Sequence, residues 1–183
     1  MIVRIHMKPK DMTQVALMAA LLCLAGPMTI AIGPIPLSLA TFAVYLAGAI
    51  LGSRRGALAV GLYLVIGIVG VPVFSGFSGG FQKLAGVTGG YLIGYLPCAF
   101  LTGLGMEKAA ENRRLFLPLM MLTGTVTLYT IGTFWFMLQT GNSLLPALSL
   151  CVVPFLPGDA IKIAAATLLS VPVRRALSHA RAL

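Results

Sequence analysis

The chain has 183 residues, of which 58% are hydrophobic and only 9% are charged, and its formal net charge is +9. Soluble domains carry about 25% charged residues, so this composition excludes a soluble globular domain and indicates helices packed within lipid. The basic residues fall in short clusters between apolar segments, which is typical of membrane-topology signals and argues against nucleic-acid binding.

Six apolar segments follow one another, and we expect them to form an all-α bundle of six transmembrane helices in one domain, residues 1–183. Their approximate ranges are 12–29, 38–51, 57–71, 88–106, 115–139 and 155–173. The basic N-terminus resembles that of a signal peptide, but no clear cleavage site follows, so the first segment is expected to remain. The second and third segments are short, and one bent re-entrant pair is the alternative for them.

The basic residues sort to one side of this arrangement. Those at the N-terminus, in the connections at 52–56 and 107–114, and at the C-terminus are Arg4, Lys8, Lys10, Arg54, Arg55, Lys108, Arg113, Arg114, Arg174, Arg175 and Arg181. Cytoplasmic loops carry an excess of Lys and Arg, so both termini are predicted to be cytoplasmic. The predicted outer loops then hold a single cation, Lys83.

Small residues recur at a spacing of four, which lets helix backbones approach closely in lipid. They are Ala16 and Ala20, then Gly48, Gly52 and Gly56, then Gly86, Gly90 and Gly94. Internal packing is one interpretation of these faces, and docking of a partner membrane subunit is the other.

A Gly-rich segment at 71–87 is predicted to be an extracellular loop. It also contains three aromatic residues, Phe74, Phe77 and Phe81. A flexible linker would be polar, so this composition suggests a ligand-covering loop, or a re-entrant lid that only seals the bundle. Thr88 is the predicted N-cap of the fourth helix, whose first amides would then face a ligand.

Asp159 and Lys162 lie near the start of the sixth segment, three residues apart and therefore on one helix face. A charge inside a span costs roughly 2.5 to 3.5 kcal/mol on insertion scales, which favours a functional role. The structural alternative is an Asp at a helix N-terminus and a Lys that snorkels outward. The sequence contains no paired carboxylates, HExxH, GxSxG or ATP-binding motif, so ligand binding is predicted and catalysis is not.

Three cysteines are dispersed without a CxxC pair, so no metal or cofactor is expected. Five further motifs occur in order: PIPLSLATF at 34–42, LAGAILG at 46–52, SGG at 78–80, GVTGGYLIGY at 86–95 and PGDAIK at 157–162. Over residues 13–175 the chain resembles the BioY family, the biotin-binding S components of energy-coupling factor (ECF) transporters. It departs from the family pattern at Ala40, Ser78 and Val87, and the departures at Ala40 and Val87 keep another vitamin open as the ligand.

The resemblance implies a biotin site at the outer end of the bundle. Asp159 would accept the ureido N–H groups, and Lys162 would donate to the ureido oxygen or pair with the carboxylate. The aromatic residues that would cover the apolar ring are Phe74, Phe77, Phe81 and Tyr91. The glycines that would let backbone amides reach the ligand are Gly79, Gly80, Gly89 and Gly90, beside Thr88.

The resemblance also implies partners: a transmembrane coupling subunit (the T component) and ATP-binding ATPase subunits. Ala16 and Ala20 match an Ala-rich face that contacts the coupling subunit in this family. The implied location is the cell (inner) membrane of a prokaryote, with several spans in the lipid bilayer. A ligandless membrane assembly subunit remains the further alternative.

Overall fold

The structure is a computed structural model, which describes residues 8–30, 35, 37–108 and 113–182. Its helices are α1 Pro9–Ala25, α2 Ala40–Leu51, α3 Ser53–Ile68, α4 Phe81–Ala85, α5 Gly89–Lys108, α6 Arg113–Thr140, α7 Leu144–Cys151 and α8 Leu156–Ala182. A short 3-10 turn, Val153–Phe155, joins α7 to α8. Two short antiparallel strands, β1 Thr29–Ile30 and β2 Leu37–Ser38, connect α1 to α2. Arg4, Pro34 and Pro36, which the sequence interpretation used, lie outside the described residues.

Three described stretches are long and apolar enough to cross a membrane: Gly89–Lys108, Leu115–Thr140 and Leu144–Leu177. The last of these runs through α7 and α8 together. The helix α2 is apolar but has only 12 residues, or about 18 Å of length, which is less than the hydrocarbon thickness. The described part of the chain is therefore predominantly helical, with three helical stretches of membrane-spanning length.

Helix α5 lies at the centre and packs on α2, α3 and α6, largely through small residues. A Cβ added to Gly48 of α2 would lie 2.9 Å from the Thr102 Cβ, and one added to Gly94 would lie 2.8 Å from the Leu128 Cδ1. These glycines permit the close contact of the helices and so serve internal packing. Ala16 and Ala20 do not take part in such packing within the described structure, because both lie on the exposed face of α1.

The connection between α2 and α3 is tighter than predicted. The expected loop at 52–56 is wrong, because α2 ends at Leu51 and α3 begins at Ser53. Gly52 makes the turn alone, with a φ of 88° that favours glycine. Glu107 of α5 caps the start of α3, since its carboxylate accepts hydrogen bonds from the Ser53 amide at 2.8 Å and from the Ser53 hydroxyl at 2.9 Å.

Three connections meet at one end of the bundle, which we call the cavity end: the described residues of the first connection (26–30, 35 and 37–39), 69–88 and 141–155. The segment predicted as a loop at 71–87 contains helix α4 and a tight turn closed by the Phe74 amide, which donates to the Ser78 carbonyl at 2.8 Å. Helix α7, in the third connection, was not predicted either. Both helices depend on packing against longer ones, since isolated helices this short are marginal.

Candidate functional site

A cavity lies at the cavity end, between α2, α5, α6 and α8. Its polar lining residues are Ser38, Thr41, Ser75, Thr88, Asp159 and Lys162. Its aromatic lining residues are Tyr91, Tyr95, Tyr129 and Phe155. Apolar walls with a few convergent polar groups are typical of a site for a small organic molecule.

Asp159 and Lys162 form the polar centre of the cavity wall. Because they lie on one face at the start of α8, the Lys162 ammonium donates to Asp159 Oδ1 at 3.2 Å. It also donates to the Ser38 carbonyl and to the Thr41 hydroxyl, each at 2.8 Å. The Tyr129 hydroxyl of α6 donates to Asp159 Oδ2. Both charged side chains are almost fully buried and held by partners from α6, α8 and the β2–α2 segment.

Ser38 connects this network to the α1–α2 segment. Its hydroxyl donates to the Gly26 carbonyl at 3.1 Å and accepts from the Ala40 amide at 2.9 Å. The Ser38 carbonyl is the group that Lys162 contacts. Lys162 therefore joins α8 to the end of α1 and the start of α2.

The tyrosine rings form the apolar part of the wall. The rings of Tyr91 and Tyr129 meet edge to face, with centroids 6.5 Å apart and an interplanar angle of 77°. The Tyr91 hydroxyl shares a hydrogen bond of 3.2 Å with the Thr133 hydroxyl, which fixes the ring against α6. This wall suits an apolar ring beside the polar centre.

The cavity brings together four of the predicted site residues: Asp159, Lys162, Thr88 and Tyr91. Thr88 directly precedes α5, and the Thr88 carbonyl accepts from the amides of Tyr91 and Leu92. The role of these four residues in binding stays a prediction.

The predicted phenylalanines lie elsewhere. Phe74 is fully buried against Gly67, with its ring 5.5 Å from that of Tyr63. Phe77 and Phe81 are 73% and 65% exposed on the surface of the cavity end. None of the three belongs to the cavity lining in this structure.

The four predicted glycines also lie outside the lining. A Cβ on Gly79 would be 2.9 Å from the Gly70 carbonyl oxygen, and one on Gly90 would be 2.8 Å from the Trp135 Cγ. Gly89 lies against the Leu84 carbonyl, and Gly80 has a φ of 90° at the start of α4. In this structure these glycines serve turns and close packing.

The sequence analysis did not predict several of the residues that line the cavity. They are Ser38, Thr41, Ser75, Tyr95, Tyr129, Cys151 and Phe155, with the apolar Ile35, Leu92 and Leu128. Ser38 and Thr41 lie in the motif at 34–42, so position within a motif could have found them. Tyr129 lies in an apolar helix outside every motif, and no sequence signal marks it.

Among the described residues, no group of three His, Cys, Asp or Glu side chains could hold a metal ion. The cavity can instead offer one acceptor carboxylate, one ammonium, several hydroxyls and aromatic faces. Fold and cavity together define a helical protein with stretches of membrane-spanning length and a partly open cavity that has both polar and aromatic walls.

The model of the BioY family matches residues 2–179, and the chain belongs to this family. A probable biotin transporter BioY from Pyrococcus horikoshii is 38% identical, over 90% of this chain and 96% of the relative. A biotin transporter BioY from Thermotoga maritima is 34% identical, over 91% of this chain and 96% of the relative. The solved structure of the S-component for biotin from an ECF-type ABC transporter superposes with a TM-score of 0.80 at 30% identity, covering 94% of this chain and 95% of that one.

Proposed function

We propose that this chain is the biotin-binding subunit of an ECF-type vitamin uptake transporter, and not an enzyme. One observation carries the proposal: a buried Asp159–Lys162 pair and several aromatic side chains line one cavity. The similarity to biotin transporters along nearly the whole chain supports biotin as the ligand.

Biotin has a ureido ring with two N–H donors and one carbonyl, an apolar sulfur-containing ring and a carboxylate tail. An ionised carboxylate offers about four acceptor positions, and the described partners of Asp159, Tyr129 and Lys162, each occupy one. The remaining positions accept the ureido N–H groups. The faces of Tyr91 and Tyr129 then contact the apolar ring.

The surface residues of the cavity end have a covering role in this proposal. Phe77 and Phe81 are exposed beside the cavity, and they close over the bound ligand. Phe74 supports this segment from below. The glycines at 79, 80, 89 and 90 allow the surrounding backbone the close approach that a small ligand needs.

The proposed topology has six spans, both termini cytoplasmic, and the cavity end on the outer side of the cell (inner) membrane of a prokaryote. The whole chain forms one membrane domain, with 71–87 outside. Charge supports this orientation, because Arg54, Arg55 and Lys108 lie at the end of the bundle opposite the cavity. An outward-facing cavity is what capture of an external vitamin requires.

The proposed partners are a transmembrane coupling subunit and ATP-binding ATPase subunits. Ala16 and Ala20 form the centre of the docking face on α1, where both are exposed. Leu17, Leu21 and Leu24 extend the same exposed apolar surface. Small residues flanked by leucines permit close helix–helix contact in lipid.

The decisive experiment identifies the ligand that stays with the purified protein. Extraction and mass spectrometry of protein from biotin-replete cells should give biotin, and ligand-free protein should rebind labelled biotin. Asp159→Asn should weaken this binding, because an amide cannot offer the same acceptors. Glu107→Gln is the control, since it alters an acid far from the cavity.

Other results would overturn the proposal. A different vitamin in the extract would make the chain an S component of another specificity. No retained ligand together with no biotin binding would favour a ligandless assembly subunit. Unchanged biotin affinity in Asp159→Asn would refute the site assignment alone.

A further inference from the structure

We propose that a lateral groove between α6, α7 and α8 holds one acyl chain of a membrane phospholipid, and that this chain strengthens ligand binding by packing behind Tyr129. This role rests on the proposed function, since it couples the groove to the ligand cavity and requires a bilayer around the helices.

The groove is distinct from the ligand cavity and is lined mainly by apolar side chains. Its walls come from the α6 face between Val126 and Met137, from Leu144 and Leu148 of α7, and from Leu156 at the start of α8. None of the described residues that line it is charged. An uncharged apolar groove favours a hydrocarbon chain over a polar ligand.

The position and length of the groove match one leaflet of a bilayer. It lies between the described stretches Leu115–Thr140 and Leu144–Leu177, which have membrane-spanning length and of which only a minor part is buried. At a rise of about 1.5 Å per residue, its α6 wall from Val126 to Met137 is roughly 16 Å long. This length is about half of the hydrocarbon thickness of a bilayer, which is the depth that one acyl chain occupies. The wall ends in the last turn of α6, so the groove belongs to the leaflet at the cavity end.

The hydroxyl groups of the groove wall already have partners. The Thr130 hydroxyl donates to a backbone carbonyl one turn earlier in α6, at 2.8 Å. The Thr133 hydroxyl shares a hydrogen bond of 3.2 Å with the Tyr91 hydroxyl, and the Tyr129 hydroxyl donates to Asp159. A hydrocarbon chain in the groove therefore avoids the cost of burying an unpaired hydroxyl.

Tyr129 joins the groove to the ligand cavity, because this residue lines both. Its hydroxyl is a partner of Asp159, the acceptor carboxylate of the cavity. An empty groove leaves one side of Tyr129 without packing contacts, and an acyl chain supplies them. A tyrosine that is held from both sides loses less freedom when the ligand binds, so chain and ligand should strengthen each other's binding.

The test measures lipid retention and biotin binding on ligand-free, delipidated protein in detergent. Native mass spectrometry should show one added dioleoyl phosphatidylcholine retained by each wild-type chain. This lipid should tighten biotin binding by about fivefold or more, the lower range of couplings between two sites. Because linkage is reciprocal, biotin should strengthen lipid retention by the same factor. Dioleoyl phosphatidylglycerol, with the same chains and a charged headgroup, should have the same effect.

A tryptophan in the groove provides the decisive variant. Leu148→Trp occupies the space of the acyl chain and should abolish both lipid retention and the lipid dependence of biotin binding. Leu145→Trp is the matched control, because Leu145 lies in the same helix, is 80% exposed and does not line the groove. It should keep both properties. If Leu148→Trp does not fold, Leu144→Trp, at a groove residue that is 53% exposed, provides the same measurement.

Three results would overturn the inference: wild-type protein that retains no lipid, a biotin affinity that is equal with and without lipid, and an effect that follows the headgroup and not the chains. A Leu148→Trp protein that loses a protein partner, measured as particle mass, but keeps its lipid dependence would assign the groove to another polypeptide. Wild-type protein that retains the lipid but binds no biotin is a different result, because it contradicts the proposed function and leaves the acyl-chain site in place.

Discussion

The buried ion pair predicts an unusually large loss of stability when Lys162 is replaced by Met. The side chains of Lys162 and Asp159 are 11% and 6% exposed, so the substitution leaves a carboxylate with little access to water. Removal of one partner from a buried pair costs about 3 to 5 kcal/mol. For a chain of this length, that corresponds to a fall in Tm of roughly 6 to 20 °C. The bonds from the ammonium to Ser38 and Thr41 are lost as well.

The assay is thermal unfolding of ligand-free protein in one detergent, followed by the fluorescence of the single tryptophan. The double variant Asp159→Asn with Lys162→Met should unfold at a higher temperature than Lys162→Met alone, because it removes the unpaired charge. Arg55→Met is the control: the side chains of its ion pair with Asp11 are 28% and 24% exposed, so water screens this pair more than the Lys162–Asp159 pair and its loss should lower Tm less. Two results would refute the reasoning: a Tm of Lys162→Met within about 2 °C of the wild-type Tm, or a double variant whose Tm is no higher than that of Lys162→Met.

Three further substitutions test contacts elsewhere in the structure. Tyr129→Phe removes the hydroxyl donor to the site carboxylate and should lower biotin affinity at least about tenfold, whereas Tyr63→Phe, outside the cavity, should not change it. Gly90→Ala should destabilise the α5–α6 contact by about 1 to 3 kcal/mol in thermal unfolding, while Gly61→Ala, with its nearest atom 3.8 Å away, should be tolerated. Glu107→Ala should cost about 0.5 to 2 kcal/mol through the lost cap of α3, and an unchanged Tm would contradict that role.

The long helices could be predicted from the sequence because hydrophobic length is a direct consequence of lipid burial. Helix α5 begins one residue after Thr88, and α8 begins one residue from the predicted start at 155. Shorter elements could not be predicted in the same way. The α2–α3 turn depends on Glu107, which is distant in sequence, and α4 and α7 depend on packing that no local pattern records.

The candidate site shows the same division. Asp159 and Lys162 could be identified because charges are rare in apolar segments. Tyr129 could not, since a tyrosine in an apolar helix has the same local pattern whether it faces lipid or a carboxylate. Phe74 was predicted to cover the ligand because it lies in a Gly-rich segment with two other phenylalanines. Its ring instead packs against Gly67, a contact that only the tertiary structure reveals.

The spacing of Asp159 and Lys162 also matters for biosynthesis. Because the two residues are three apart in one helix, their side chains can pair as soon as the first turns of α8 form, before any other helix is beside them. The apolar part of α8 then enters the bilayer as an electrically neutral segment, which lowers the cost of placing charged groups in hydrocarbon. The same pair that lines the cavity would thereby ease membrane integration of α8.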